Sequence, residues 1–160
     1  MSSEQYISIS WAIWVVPKCE NINISRNGGN IKSNKAKGTR FEHEFANILA
    51  EYGFWAHVLE SKKNGAQPFD VIAVKNNIAY SFDCKVCESD VFLFSRIMEN
   101  QHLAFSKLHD CGSTNTYLAV KFDSDIYIVP YVSRQSSTKQ LSLDLIQQHC
   151  KDVYTWVQAL

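Results

Sequence analysis

The sequence predicts an α/β protein in which helices flank a central mixed sheet of five strands. The chain of 160 residues is long enough for one sizeable core and too short for two. Segments with helical character cover residues 39–52, 96–109 and 142–157. Three strand-like segments separate the first two of these helices, and two more separate the second from the third. This order of elements is typical of a layered α/β domain.

The first helix is predicted from Thr39, because Phe41, Phe45 and Leu49 recur on one helical face and Gly53 supplies a stop. The segment "FWAHVL" (54–59) follows as a strand. A polar loop then leads to "PFDVIAVKNNIAYSFDCK" (68–85), which is typical of a two-stranded hairpin.

The second half of the chain adds a helix, a strand pair and a last helix. The middle helix is expected over residues 96–109. The segments "TYLAVKF" (116–122) and "IYIVPYV" (126–132) form the strand pair around Asp123 and Ser124. The chain then closes with one amphipathic helix, "SLDLIQQHCKDVYTWV" (142–157), for which Ser142 is the predicted N-cap.

Residues 1–36 are predicted to be an arm that precedes a folded domain at 37–160. Residues 21–37 are rich in Asn, Ser, Gly and Lys, as in a loop or linker, and a strand-like segment precedes them. The basic residues between positions 18 and 40 are Lys18, Arg26, Lys32, Lys35, Lys37 and Arg40. Lys62 and Lys63 form a second basic cluster. This distribution predicts contacts with nucleic-acid phosphates, and a solvated flexible tail is the alternative.

Composition and cysteine content exclude several classes of protein. No apolar run approaches the roughly 18 residues that a membrane span needs, and the apolar stretch near the N-terminus lacks the basic residues of a secretory signal. The five cysteines are odd in number and irregularly spaced, which argues against a disulfide framework. We therefore expect a cytoplasmic protein.

The register of the hairpin brings two acidic residues together. If Asn76 and Asn77 form a two-residue turn, which asparagine favours, then counting outward places Asp70 opposite Asp83. The side-chain period of two places Lys85 on the same face as Asp83. The other face carries an apolar row of Ile78, Tyr80, Phe82 and Cys84.

Two directly opposed carboxylates destabilise a sheet unless something offsets their repulsion. One possibility is a raised pKa on one of the pair. Another is a divalent cation such as Mg²⁺, which carboxylates, waters and phosphate oxygens commonly hold. Together with the ammonium of Lys85, such an ion would make a site for phosphodiester hydrolysis. The alternative is a surface hairpin whose acidic pair is solvated, with Lys85 as its counter-ion.

The segments "PFD" and "DCK" resemble the core motif of the PD-(D/E)XK nuclease superfamily. More specifically, "KGTRFEHEFANILAEYGF" (37–54) resembles the opening of cellular Holliday junction resolvases, both the archaeal family and the Gram-positive RecU family. Lys37, Gly38 and Glu42 match the basic residue, glycine and glutamate of that opening. The resemblance extends over roughly residues 37–131.

This resemblance implies a restriction-endonuclease-like α/β/α core over residues 37–160 and a metal-dependent endonuclease that resolves four-way DNA junctions by paired nicks. The implied active site is Glu42, Asp70, Asp83 and Lys85. The implied cofactor is Mg²⁺, with Mn²⁺ as a substitute, and its implied ligands are the three carboxylates and the backbone carbonyl of Cys84. A homodimer with no membrane association is also implied.

The sequence departs from the resolvase pattern at Asp83, where those families usually carry Glu. The expected DNA-binding residues are Lys35, Lys37, Arg40, Lys62, Lys63 and Gln101. Gln101 is similar to a helix glutamine that assists some nucleases of the superfamily, although an exposed position on the helix is the favoured interpretation. The functional alternatives are a nuclease of the same superfamily acting on linear or other branched DNA, and a non-catalytic DNA-binding protein.

Overall fold

The computed structural model describes residues 34–60, 67–131 and 139–160. Its elements, in chain order, are α1 (Asn34–Glu51), β1 (Trp55–Val58), β2 (Val71–Lys75), β3 (Ile78–Cys87), β4 (Val91–Leu93), a 3-10 turn (Phe94–Arg96), α2 (Glu99–Asp110), β5 (Thr116–Phe122), β6 (Asp125–Pro130), β7 (Gln140–Ser142), α3 (Leu143–His149), β8 (Lys151–Asp152) and α4 (Val153–Gln158). The predicted α/β class and the order of the main elements are confirmed.

The central sheet is mixed, with the strand order β1-β2-β3-β5-β6-β8. Only β3 and β5 pair in parallel among its described strands, and the remaining neighbours are antiparallel. The prediction of five strands is therefore one short, because β8 adds a sixth at the edge beside β6. The short strands β4 and β7 pair with each other in a separate ribbon.

The hairpin has the predicted register. Lys75 pairs with Ile78, and the pairing continues outward to Val71 with Phe82. Asn76 and Asn77 have φ values of 52° and 63°, which is the left-handed conformation that the tight hairpin turn requires. The two asparagines therefore determine which side chains face each other across β2 and β3.

The last helix is divided into two, so the prediction of one continuous helix is wrong. Ser142 is the N-cap of α3, as predicted, since its side chain accepts a hydrogen bond from Leu145 N. Cys150 is extended, with φ −117° and ψ 151°. Asp152 then accepts hydrogen bonds from Tyr154 N and from the next amide. Because an aspartate in this role stabilises a new helix start, the chain pairs briefly with β6 and begins α4.

The first helix begins earlier than predicted. It starts at Asn34, whereas the polar composition indicated a linker up to residue 37. Lys35 and Lys37 therefore lie on the first turn of α1, and most of the predicted arm lies outside the described residues. Among the residues that the structure describes, no helix is long and apolar enough to span a bilayer.

A hydrophobic cluster lies on each face of the sheet, between the strands and the helices that cover them. One cluster joins α1 and α4 to the sheet and includes Phe45, Phe82 and Trp156. The other joins α2 and α3 to the sheet and includes Phe105 and Ile146. This arrangement makes three layers, helices on sheet on helices. As a consequence both faces of β3 are covered from Tyr80 to Cys84.

Candidate active site

Asp70 and Asp83 come together where β2 begins, at the middle of β3. Asp70 N donates to Phe82 O at 2.9 Å. Since Val71 pairs with Phe82, the next pair outward is Asp70 with Asp83. Asp70 Oδ2 accepts a hydrogen bond from Cys84 N at 2.7 Å. Asp83 is fully buried. This geometry agrees with the prediction that the two carboxylates lie opposite each other at one end of the hairpin.

Lys85 forms an ion pair with Asp83. Its Nζ lies 2.7 Å from Asp83 Oδ2, and the exposed fractions of the two side chains are 12% and 0%. This oxygen is otherwise unsatisfied, since no hydrogen-bond donor in the described ranges meets it with good geometry. Asp83 therefore presents a buried oxygen that is paired with a cation, while the side chain of Asp70 lies close to the same carboxyl group.

Gln101 connects α2 to this pair, and its predicted exposed position is wrong. Only 6% of Gln101 is exposed. Its side-chain Nε2 donates to Asp83 Oδ1 in a short hydrogen bond. Its Oε1 accepts from Lys85 Nζ at 3.3 Å and from Met98 N at 2.9 Å. That Gln101 contacts DNA stays a prediction, and in this structure its side chain is turned inward and engaged with the acid–lysine pair.

The position of Gln101 at the start of α2 explains how it is held. It is the third residue of that helix, and its reach back to Met98 N is half of a capping box. The N-cap is methionine rather than serine or threonine, so the sequence signature of this box is incomplete. The glutamine at the third position of the helix is the sequence signal from which this capping contact could have been predicted.

Glu42 lies on α1, beside the same cluster. Partial burial is the main cause that raises the pKa of Glu42, and the charge of Asp70 raises it further, while Lys85 opposes the shift. These mutual effects require the two carboxylates and the ammonium to be neighbours. The structure thus places all four predicted catalytic residues in one cluster, contributed by α1, the start of β2, and β3.

Burial also governs the charge of Asp83. It raises the pKa of Asp83 from 3.8 to about 7, with Lys85 lowering it and Asp70 raising it further. Burial is likewise the main cause that raises the pKa of the Cys84 thiol, so that thiol stays neutral. A cluster of acids whose ionised forms are disfavoured is a common sign of a functional site.

The donors of the cluster fit a hard divalent cation. Within the described part of the chain, no three acidic, histidine or cysteine side chains already stand in a metal-binding arrangement. However, Asp83 Oδ2 already attracts one cation, the Lys85 ammonium at 2.7 Å, and the repulsion between Asp83 and Asp70 is relieved by added positive charge. Oxygen ligands of this kind suit Mg²⁺.

The basic residues predicted to bind DNA divide into two groups. Lys35, Lys37 and Arg40 are exposed on α1. Lys62 and Lys63 lie outside the described residues. Those on α1 are close in sequence to Glu42, which the same helix carries.

Comparison with known proteins identifies a matching family and similar solved structures. The family model described as archaeal Holliday junction resolvase (Hjc) matches residues 33–156. One matching solved structure is that of Archaeoglobus fulgidus Hjc, a Holliday junction resolvase from an archaeal hyperthermophile. It has a TM-score of 0.57 and 16% sequence identity, and the match covers 75% of this chain and 99% of the other. No curated protein matches the sequence.

Proposed function

The chain belongs to the archaeal Holliday junction resolvase family and is a junction-resolving nuclease, and we propose that its hydrolytic chemistry takes place at Glu42, Asp70, Asp83 and Lys85. The observation that carries this proposal is the buried Asp83 carboxylate, which contacts both Lys85 and Gln101 and lies beside Asp70. A structural hairpin has no need of a buried acid whose ionised form is disfavoured, whereas an active site commonly does.

The proposed cofactor is Mg²⁺, with Mn²⁺ as a substitute. Asp70, Asp83 and Glu42 would hold the ion, together with the backbone carbonyl of Cys84. When bound, such an ion supplies an activated water and neutralises charge on the scissile phosphate. The pairing of Asp83 Oδ2 with a cation and the nearby charge of Asp70 support this assignment. Asp83 is one methylene shorter than the usual glutamate, so its carboxylate must be oriented by a neighbouring side chain. Gln101 provides this contact by donating to Asp83 Oδ1.

Lys85 is proposed to orient the attacking water and to stabilise the negative charge that develops on the phosphate. Its ammonium is held between Asp83 and Gln101, so it is positioned before DNA arrives. Preorganised charges of this kind contribute to the transition state more than to ground-state binding. Gln101 is a positioning residue, since it acts through Asp83 and Lys85.

The proposed assembly is a homodimer, because a four-way junction has two-fold symmetry and requires two symmetric nicks. One site in each protomer would supply one nick. DNA is the proposed partner, and a cytoplasmic location is consistent with a DNA substrate. Residues 1–33, which precede α1, are proposed to be an additional phosphate-binding arm, and the nuclease domain is proposed to occupy the rest.

A nicking experiment tests the proposal. The purified protein is incubated with a four-way junction, a flap and a linear duplex of the same sequence, with Mg²⁺ and with EDTA. Paired nicks in the junction that need Mg²⁺ and disappear in Asp70→Asn are expected. Equal cleavage of all three substrates would indicate a less selective nuclease. Binding without cleavage in every condition would indicate a non-catalytic DNA-binding protein.

A further inference from the structure

An exposed pair of aromatic rings lies on β1, at the edge of the central sheet. Trp55 and His57 stand two residues apart on this strand, so the pleat places both side chains on one face. Their rings are nearly parallel, with an interplanar angle of 10° and 6.0 Å between the centroids. Trp55 is 62% exposed, and His57 is exposed as well. We call this pair the aromatic platform.

The aromatic platform lies on the sheet face that carries the catalytic carboxylates. His57 pairs with Ile72 in the register of β1 and β2, and Leu59 N donates to Asp70 O at 2.8 Å where the ladder continues. Asp70 and Ile72 are two residues apart, so they share a face with His57 and Trp55. His57 is therefore a diagonal neighbour of Asp70, at a separation of about 7–8 Å.

This part of the sheet is covered on one face only. Val71 and Ala73, which point to the side of α1, are fully buried in the cluster that joins this helix to the sheet. Ile72 and Val74 point to the opposite side and are only half-buried. An apolar surface therefore continues from the catalytic carboxylates to the aromatic platform.

The chemistry of the aromatic platform suits a nucleobase. The indole of Trp55 carries no charge, and aromatic side chains stack on the flat face of any base. Base pairs inside a linear duplex have both faces occupied by their neighbours. In a four-way junction, the base pairs that border the crossing lose a neighbour when the arms separate. A branch point thus offers free base faces that a continuous duplex lacks.

The distance to the catalytic cluster is short enough for one DNA strand to reach both. Trp55 lies four residues along β1 from the position opposite Asp70, which corresponds to about 14 Å. A DNA strand advances about 3.4 Å for each nucleotide. Trp55 is therefore within about four nucleotides of a phosphate held at the catalytic carboxylates.

We propose that Trp55, supported by His57, stacks on a nucleobase at the branch point while the scissile phosphate lies at Asp70 and Asp83. This inference rests on the proposed function, because it names a part of the substrate that is held beside that site. The contact recognises a free base face rather than backbone charge. It therefore favours a junction over a duplex without reading the base sequence.

Junction binding in EDTA tests the aromatic platform. Dissociation constants of the full chain are measured for a four-way junction and for a linear duplex with the same arm ends. Trp55→Ala should weaken junction binding about tenfold, because one stacked base is lost, and should leave duplex binding unchanged. Trp55→Phe should retain most of the junction affinity, since a phenyl ring also stacks. Unchanged junction affinity in Trp55→Ala would overturn the proposal.

The salt dependence separates stacking from electrostatic binding. Stacking releases no counterions from phosphate, so the slope of log Kd against log salt, between about 50 and 200 mM, should be the same in wild type and Trp55→Ala. A smaller slope in the variant would show that phosphate contacts were lost, which contradicts the proposed contact with a base.

Tyr154→Ala is the matched control, because Tyr154 is 51% exposed on α4, which packs on the opposite face of the sheet. An equal loss of junction affinity in this variant would overturn the proposal in favour of nonspecific aromatic contacts. Sedimentation of wild type and Trp55→Ala should give the same mass. Dissociation of the variant alone would identify the platform as a contact between two copies of the chain, and the proposal would fail.

Nicking by the wild-type protein is recorded in parallel with Mg²⁺. Nicking together with unchanged junction affinity in Trp55→Ala would contradict the aromatic platform alone. Junction binding without nicking, but with the expected loss in Trp55→Ala, would support the platform and contradict the nuclease assignment. The two failures therefore give different results.

Discussion

Lys85 and Asp83 form a nearly solvent-free ion pair, with Lys85 Nζ 2.7 Å from Asp83 Oδ2 and only 12% of the lysine side chain exposed. The two residues stand two apart on β3, so the pleat of the strand places them on one face. Burying a charged pair is costly, and such pairs contribute little net stability. A functional role is therefore the better explanation for keeping both charges here.

Lys85→Ala should abolish cleavage while leaving junction binding nearly intact. Loss of one electrostatic stabiliser typically costs on the order of 10²–10³ in kcat, whereas affinity is spread over many phosphate contacts. The measurements are the gel-shift affinity and the single-turnover nicking rate of the same preparation, with Lys107→Ala as control. Near-normal cleavage would reduce Lys85 to a counter-ion of Asp83. A thermal melt confirms that the variant is folded.

Mg²⁺ or Mn²⁺ should raise the melting temperature of the wild-type protein but not that of Asp70→Asn. An ion that binds only the folded state stabilises it by mass action, by about 2.7 kcal/mol at a hundredfold excess over Kd. Asp123→Asn is the control, because Asp123 is an exposed turn residue with φ 49°, a conformation that asparagine tolerates. Equal shifts in wild type and Asp70→Asn would contradict the assignment of a metal to the acidic pair.

Gln101→Leu should lower both stability and activity. It keeps a similar volume but leaves Asp83 Oδ1 without its donor, and an unsatisfied buried acceptor costs about 1–3 kcal/mol. A purely structural glutamine would change the melting temperature alone. The distinguishing measurement is the pH profile of nicking, which should shift because Gln101 touches the titrating Asp83. Gln148→Leu, at an exposed position on α3, is the control and should change stability by less than about 0.5 kcal/mol.

The metal-free protein should lose stability as the pH rises from about 4 to about 7. Burial raises the pKa of Asp83 to about 7 from an ordinary value of 3.8, so the folded state binds a proton that the unfolded state has released. Stability therefore falls across this window. Denaturant unfolding of wild type and Asp83→Asn in EDTA measures the difference. Mg²⁺ should flatten it, because the ion binds the ionised carboxylate.

Deletion of residues 1–33 should weaken DNA affinity and flatten its salt dependence while retaining the metal response. The deletion ends before α1, which begins at Asn34, so the helix that carries Glu42 stays whole. Fewer basic residues release fewer counterions on binding. An unchanged salt slope would mean that this segment does not contact phosphate.

Local rules were sufficient for much of this protein. The two asparagines of the turn set the hairpin register, and the register placed Asp70, Asp83 and Lys85 at one end of β2 and β3. Ser142 was identifiable as a helix cap because capping depends on residues three positions apart. The break at Cys150 was missed because the amphipathic pattern continues through it, while pairing with β6 and the Asp152 cap favour an extended backbone.

The sequence by itself determined the hairpin and the order of the main elements, because each depends on spacing along the chain. The four catalytic candidates were implied by the resemblance of its motifs to the resolvases. Only the tertiary structure decided that Gln101 is buried against Asp83 and Lys85, since α2 reaches β3 through packing between layers. Contacts between residues far apart in sequence follow from how the layers pack, which no local periodicity records.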